Sequence, residues 1–389
     1  MAMNKKGQID EKNGKKNIYL LGGSSLLNDA GSEMIAPILP FFITSLGGSG
    51  VSVGALSGLR EGLASLFKLL GGWYSDRIGK RMPFVFLGYT ISIVFRFLLA
   101  LANSWQFVLA FISLERLGKS RDAPRDAIIT ESTKKYGRGF GINQMMDTTG
   151  GVLGALIVLL LFWKLNLGFK TIILIAGAIS SLSLIPLFFV KEISAKTEKR
   201  NLFKGIKDLR KQLKYFIFVA SVFTLANFGL YMFLLLRARD ITGSISLALG
   251  LGVLFNITWA LFAVPFGNLS DKIGRKKVLM LGYILFLVVS LGLIYTNNLF
   301  YLALLFVLYG LVYAITQGNQ RAFVSDLSNE NKGTALGFYY FVIGLVNIAG
   351  GIVAGIFWDI SYVLMFGYLA AVAFIAVIML LFVKEKNKN

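Results

Sequence analysis

The chain has 389 residues, 56% of them hydrophobic and only 15% charged, with a mean hydropathy of +0.68. It holds 40 Lys and Arg against 20 Asp and Glu, a formal net charge of +20, and no Cys or His. An ordinary soluble protein is about one quarter charged, so this composition excludes a soluble globule. It also excludes disulfides, thiolate chemistry and any imidazole metal ligand or proton carrier, so no metal site and no cofactor are expected.

The first sixteen residues are polar and basic, and no short apolar core with a small-residue cleavage site follows, so no cleavable leader is expected. From Ile18 onward, apolar runs of about twenty residues, the length that spans a bilayer, recur to the end. Runs such as TIILIAGAISSLSLIPLFFV (171–190) do not alternate, which favours helices over a barrel. Twelve spans are predicted, over 17–45, 53–75, 83–103, 105–123, 138–162, 168–190, 215–237, 246–270, 278–296, 299–320, 335–358 and 361–383. The fold class is therefore an all-α membrane protein.

The first span carries NDAGSEMIAPILP (28–40), with Asp29 and Glu33 one turn apart on one helix face and Pro37 and Pro40 bending the chain beyond them. At a rise of about 1.5 Å per residue, position converts to depth. An inner layer then holds Asp29, Glu115 and Asp147 with Lys68 and Arg116. An outer layer holds Glu33 and Glu61 with Arg60 and Arg96. The outer layer can pair completely, Glu61 with Arg96, as structural ion pairs. The inner layer has one acid more than it has bases, and an uncompensated buried carboxylate takes up a proton. Asp29, Glu33, Glu115 and Asp147 are the candidate proton-coupling residues, Asp29 foremost.

Between the sixth and seventh spans lies KEISAKTEKRNLFKGIKDLRKQLK (191–214), the longest hydrophilic segment. It divides an N-terminal six-helix bundle (1–190) from a C-terminal one (215–389) and is expected to be a cytoplasmic linker. The halves repeat each other. GWYSDRIGKR (72–81) matches GNLSDKIGRK (267–276), and NDAGSEM (28–34) echoes ANFGLYM (226–232). Asn227 and Tyr231 thus stand where Asp29 and Glu33 stand. The later spans are almost free of charge but offer Asn256, Trp259, Gln317, Asn347 and many Phe, an uncharged aromatic wall for substrate. The expected substrate contacts are Asn28, Glu33, Arg116, Asn143, Asn227, Tyr231, Asn256, Trp259 and Gln317. Most Lys and Arg fall in loops of one side, which places both termini in the cytoplasm. The basicity is then a topology signal, not a nucleic-acid footprint.

Gly72, Asp76, Arg77, Gly79, Lys80 and Arg81 resemble the signature loop between the second and third helices of the major facilitator superfamily. Gly267, Asp271, Gly274 and Arg275, with Lys272 and Lys276, resemble its weaker second copy. The resemblance implies two pseudo-symmetric six-helix bundles that rock around a central cavity. The loop residues themselves are read as a conformational latch, with Asp122 or Asp126 near Lys80. Gly79 and Gly274 suit a tight turn of positive φ. PILP (37–40) resembles the end of the first helix in drug:proton antiporters. DTTGGVLGAL (147–156) resembles the antiporter motif of that branch in Gly150 and Gly154, and departs from it in lacking the Gly-Pro pair, with Ala at 155. Arg116 occupies the place of a fourth-helix Arg.

The expected function is proton-coupled secondary active transport by alternating access, exporting amphipathic or cationic small molecules. One alternative is uptake or exchange of an anionic solute on Arg116, Lys119 and Arg121. Another is a non-transporting receptor or scaffold. No Gly-Lys-Ser/Thr phosphate loop is present, so an ion gradient rather than ATP would drive transport, and no enzyme activity is expected. Expected partners are a small-molecule substrate, protons and the lipid bilayer of the plasma membrane, with the chain a multi-pass monomer that binds no nucleic acid.

Overall fold

The structure, a computed structural model, describes residues 11–133, 136–192, 209–328 and 332–385. Its helices in the first half are α1 (Glu11–Ile35), α2 (Leu39–Ser45), α3 (Gly50–Ile78), α4 (Met82–Ala100), α5 (Trp105–Glu115), a 3₁₀ helix (Arg116–Arg121), α6 (Asp122–Ser132), α7 (Tyr136–Trp163), α8 (Phe169–Ser181) and α9 (Leu184–Leu187). The second half has α10 (Lys211–Ala226), α11 (Tyr231–Thr242), α12 (Ile245–Ile273), α13 (Arg275–Tyr295), α14 (Leu299–Leu327), α15 (Lys332–Ile360) and α16 (Tyr362–Leu381). Among the described residues there is no strand.

Joined end to end, these helices make the twelve spans. Four spans are interrupted, each for a local reason. Pro37 and Pro40 lack backbone donors and part α1 from α2. A 3₁₀ stretch joins α5 to α6, so the fourth span runs on to Ser132 rather than ending near 123. A turn over residues 182–183 separates α8 from α9. Gly229, at φ +98°, breaks the seventh span between α10 and α11. Among the described residues, nine helical segments are long and apolar enough to cross a bilayer alone. The other three spans are those that carry Asp29 and Glu33, then Arg60, Glu61 and Lys68, then Glu115 and Arg116.

The described residues fall into two compact units, one drawn from Met1–Phe42 and Leu63–Arg200, the other from Ile43–Gly62 and Asn201–Asn389. In the first, α1 lies so close on α7 that a Cβ at Gly150 or Gly154 would strike the carbonyl of Leu26 or Ala30. Small residues allow such helix contacts within a membrane. In the second, Gly54 and Gly351 make an equally close approach between α3 and α15. Around them the second unit is packed with rings, Phe223 stacked on Tyr283 with centroids 3.7 Å apart.

Candidate functional site

The first unit gathers its buried charges where α1, α4, the fourth span, α7 and α8 meet. Arg96 on α4 and Glu115 at the end of α5 are each 2% exposed and pair at 3.0 Å. Arg116 joins the same carboxylate from the other side. Arg96 also donates to the Asn28 carbonyl (3.1 Å), to Asn28 Oδ1 (3.0 Å) and to Ser180 Oγ (2.5 Å), so one guanidinium ties α1, α4, α5 and α8 together. Arg96 was expected to pair with Glu61, and it does not. Depth along the membrane placed the two in one layer, but depth is one coordinate of three, and Glu61 belongs to the second unit.

Two further guanidiniums enter from the far end of the fourth span, Arg121 just inside its expected end at 123 and Arg125 just beyond it. Arg121, 1% exposed, donates to Ser92 Oγ (3.0 Å) and the Gly118 carbonyl (2.8 Å) and stacks 4.2 Å over the Tyr89 ring. Arg125 donates to Ser25 Oγ (2.6 Å) and lies 3.1 Å from Asp126 and 3.7 Å from Asp147. The sequence reading offered Arg121 as a contact for an anionic solute and left Arg125, past the expected end of the span, among the loop charges. Their burial adds two cations to an inner layer that was expected to hold one acid more than its bases. With Arg116 held by Glu115, Arg121 held as described and Lys119 3.9 Å from Asp122, the three cations named for an anionic solute each have a partner in this unit.

The remaining acids have gentler partners. Asp29 accepts from the Asn28 side chain at 3.1 Å, and Asp147 accepts from the Asn143 side chain at 3.0 Å. Asn28 and Asn143 are buried, and Asp29, Glu33 and Asp147 are half-buried. Glu33 flanks α7 at Gly151, where an added Cβ would stand 3.6 Å from its Cγ. The structure thus brings Asn28, Asp29, Glu33, Glu115, Arg116, Asn143 and Asp147 into one unit around the α1–α7 contact.

The second unit answers with neutral groups. At the break in the seventh span, the Gly229 N–H donates to the Asn227 carbonyl (2.8 Å) and Ser57 Oγ donates to the Gly229 carbonyl (2.5 Å). The Tyr309 hydroxyl donates to Asn227 Oδ1 at 2.8 Å. Phe255 sits among Tyr231 (5.0 Å), Tyr313 (5.2 Å), Tyr309 (5.3 Å) and Trp259 (6.2 Å). Deeper in, Gln320 links the Tyr283 and Tyr339 hydroxyls at 3.0 and 2.9 Å. Asn227, Tyr231 and Trp259 are therefore neighbours of one aromatic cluster. Asn256 is half-buried beside Phe255 on α12, and Gln317 is exposed one turn beyond Tyr313 on α14. Asn347 is buried on α15 with its backbone carbonyl facing Gly58.

The two signature loops are built alike. Gly79 and Gly274 take φ of +75° and +103°. Ser75 Oγ and Ser270 Oγ donate to the carbonyls of Gly72 (3.0 Å) and Gly267 (2.7 Å). Arg81 lies 3.7 Å from Asp76 and 2.6 Å from Glu131. Arg275 engages Asp271, Asp326 (3.2 Å), Ser270 (2.5 Å) and Asn319 (3.3 Å). Arg77 stacks 5.7 Å from the Trp73 ring, and Lys80 is exposed. Asp122 and Asp126 are not the loop's acidic partners. They pair with Lys119, Arg121 and Arg125, because the fourth span keeps turning past 123. The acid that meets the loop is Glu131.

A further pair escaped the sequence reading. Glu192 accepts from the backbone N–H groups of Arg81 (3.0 Å) and Met82 (3.1 Å), at the start of α4. Glu385 does the same for Arg275 (2.6 Å) and Lys276 (3.3 Å), at the start of α13. A carboxylate suits the positive end of a helix and its orphan donors. The signal was present: Val-Lys-Glu ends both halves, at 190–192 and 383–385.

Comparison with known proteins agrees with this duplicated plan. A family model described as Major Facilitator Superfamily matches residues 21–259 and 217–389. The chain is 47% identical over 388 residues to a Methanocaldococcus jannaschii protein named an uncharacterized MFS-type transporter, covering 97% of each chain. It is 29% identical over 301 residues to the Multidrug resistance protein MdtG of Proteus mirabilis, covering 72% of this chain and 74% of that one. A crystal structure of the nucleoside transporter NupG, in mutant form, superposes with a TM-score of 0.81 at 16% identity, covering 93% of this chain and 99% of the other. At that identity the likeness is one of fold.

Proposed function

The chain belongs to the Major Facilitator Superfamily, as a multi-pass membrane transporter and not an enzyme, and from that premise we propose that it is a proton-coupled carrier exporting amphipathic or cationic small molecules by alternating access. The observation that supports this reading is the contrast between two acids of the first unit. Glu115 is bonded to two guanidiniums, and neutralising it would leave two buried cations uncompensated. Asp29 accepts from an amide, so it can exchange its proton while Arg96, Arg116 and Arg125 keep their partners. With no His in the chain, a carboxylate must carry the proton. Asp147, held by Asn143 and facing Arg125, is the second acid of the relay, and Glu33 helps to place a cation. The likeness to a multidrug resistance protein favours the drug:proton branch.

In this reading the Asp76 and Asp271 loops latch one state of the transport cycle. The carrier is a monomer in the plasma membrane with both termini and the 191–214 linker in the cytoplasm; 193–208 lie outside the described residues. The decisive experiment is flux of a lipophilic cation into and out of proteoliposomes under an imposed pH gradient. Accumulation that follows the gradient and collapses with a protonophore is expected. Flux indifferent to the gradient would sink proton coupling.

A further inference from the structure

Arg237 stands at the expected end of the seventh span, but α11 runs on to Thr242 and the side chain is buried, 6% exposed. A buried cation is costly unless it is paired. The other buried arginines, Arg81, Arg96, Arg116, Arg121 and Arg125, each lie 3.9 Å or less from a carboxylate. Arg237 has none among the described residues. Nη2 donates to the Thr296 carbonyl (3.1 Å) and to Asn297 Oδ1 (3.2 Å), and the group stacks 3.8 Å from the centre of the Tyr362 ring. A guanidinium carries five N–H donors. Here Nη2 uses its two, Nε is buried without a partner, and Nη1 makes no bond among the described residues.

The acids near it in the chain are committed elsewhere. Asp240, one turn further along α11, holds Arg239 at 2.8 Å. Asp359, just before the start of α16, accepts from the N–H groups of Gly50 (2.5 Å) and Val51 (3.0 Å). Positive poles gather instead. The helix α14 begins at Leu299, directly after Asn297 and Asn298, and α16 begins at Tyr362 itself. A helix start carries about half a positive charge and several orphan N–H groups. Asn298 and Ser361 cap one N–H each, those of Phe300 (2.8 Å) and Val363 (3.1 Å). Beside them Tyr295, Phe300 and Tyr301 are all exposed, the aromatic fringe of a membrane–water boundary. The group thus lies at headgroup depth, at the end of the second unit that α13 reaches from the signature loop.

We propose that Arg237, with Asn297 and the starts of α14 and α16, binds a phosphate group, supplied by a lipid headgroup or by free phosphate. An oxyanion at Nη1 provides the counter-charge that the chain omits, and both helix starts favour it. The site is separate from the acids of the first unit and needs nothing of the reading of what is exported.

The test follows the melting temperature of the full-length protein in maltoside micelles, because a ligand that binds the folded state raises it. Three probes are titrated: phosphatidylglycerol, an uncharged galactosyl diacylglycerol with the same chains, and inorganic phosphate against chloride at equal ionic strength. Stabilisation of the wild type by phosphatidylglycerol, beyond that by the galactolipid and without any from inorganic phosphate, assigns the site to a headgroup. Stabilisation by inorganic phosphate assigns it to free phosphate. In either case Arg237→Gln should raise the half-saturating concentration by about tenfold, the worth of one charge-assisted contact. Asn297→Asp, at an exposed position, gives Arg237 a carboxylate of its own. It should weaken the ligand by a similar factor, and it serves if Arg237→Gln misfolds. A wild type that inorganic phosphate does not stabilise and that the two lipids stabilise equally, or not at all, overturns the proposal. So does a half-saturating concentration that neither variant alters.

Discussion

The two units solve the same problem with different chemistry. Each must bury polar groups among apolar helices, where an unpartnered one costs several kcal/mol. The first unit uses ions: Glu115 between Arg96 and Arg116, Asp147 beside Arg125, and Arg121 on Ser92. The second uses hydroxyls and amides on a frame of rings, with Tyr309 on Asn227 and Gln320 between Tyr283 and Tyr339. Even its buried Arg237 is met by the Thr296 carbonyl, the Asn297 side chain and the Tyr362 ring. The difference teaches where sensitivity lies. A network of ions changes its balance when one proton arrives, while a network of hydroxyls and rings does not titrate in the working range.

The largest expected effect attacks the ionic side. Glu115→Gln leaves two guanidiniums without their shared counter-charge and should destabilise the protein by about 3–5 kcal/mol, read as a fall in the melting temperature in detergent. A melting temperature within a degree of wild type would show that Glu115 does not hold the network. Next comes Asp29→Asn, which keeps shape and hydrogen-bonding capacity. It should cut pH-gradient-driven flux by about tenfold or more while leaving melting and substrate exchange near wild type. Undiminished driven flux would move the proton role to Asp147.

The neutral side should break more gently. Tyr309→Phe removes the hydroxyl that caps Asn227 at the helix break and should cost about 1 kcal/mol, the net worth of one hydrogen bond, with no change in the pH profile. A shifted pH profile would erase the distinction between the units. The smallest effect compares the loops. Asp271→Asn leaves Arg275 on Asp326, Ser270 and Asn319, whereas Asp76→Asn leaves Arg81 on Glu131. Asp76→Asn should therefore slow turnover by about threefold, the worth of a partly exposed ion pair, and Asp271→Asn by less. Equal turnover in both would remove the asymmetry.

The sequence made the helices, the duplication and the loop glycines legible because each is written in a local run: twenty apolar residues, a repeated ten-residue stretch, a Gly at a turn. That Asp29 and Glu33 share one helix face was legible for the same reason, since four residues make about one turn, but that this face meets α7 was not. Partners across helices were not. Arg96 and Glu61 share a depth, but their direction around the helix axis depends on packing that no local pattern encodes. Arg121 and Arg125 were misread because a cluster of charges normally marks the end of a span, and here the helix continues through it. Glu192 and Glu385 were legible only as a repeat of three residues, too short to stand out until the helix starts they cap were seen.

The six-residue 3₁₀ stretch at Arg116–Arg121 has a consequence for the fourth span as a mechanical part. Each 3₁₀ residue turns about 120° and rises about 2.0 Å, against about 100° and 1.5 Å in an α-helix. Over this stretch the excess comes to about a third of a revolution and about 3 Å. The span is thus wound out of phase with itself: Glu115 above the stretch and Arg125 below it are aimed by different clocks. Rewinding it as α-helix would swing Arg125 away from Ser25 and Asp147 and shorten the shaft, with no hinge and no loop required. Rotation and length are geared together in one short piece of backbone, and its drive shaft ends at Glu131, the acid that grips the first signature loop.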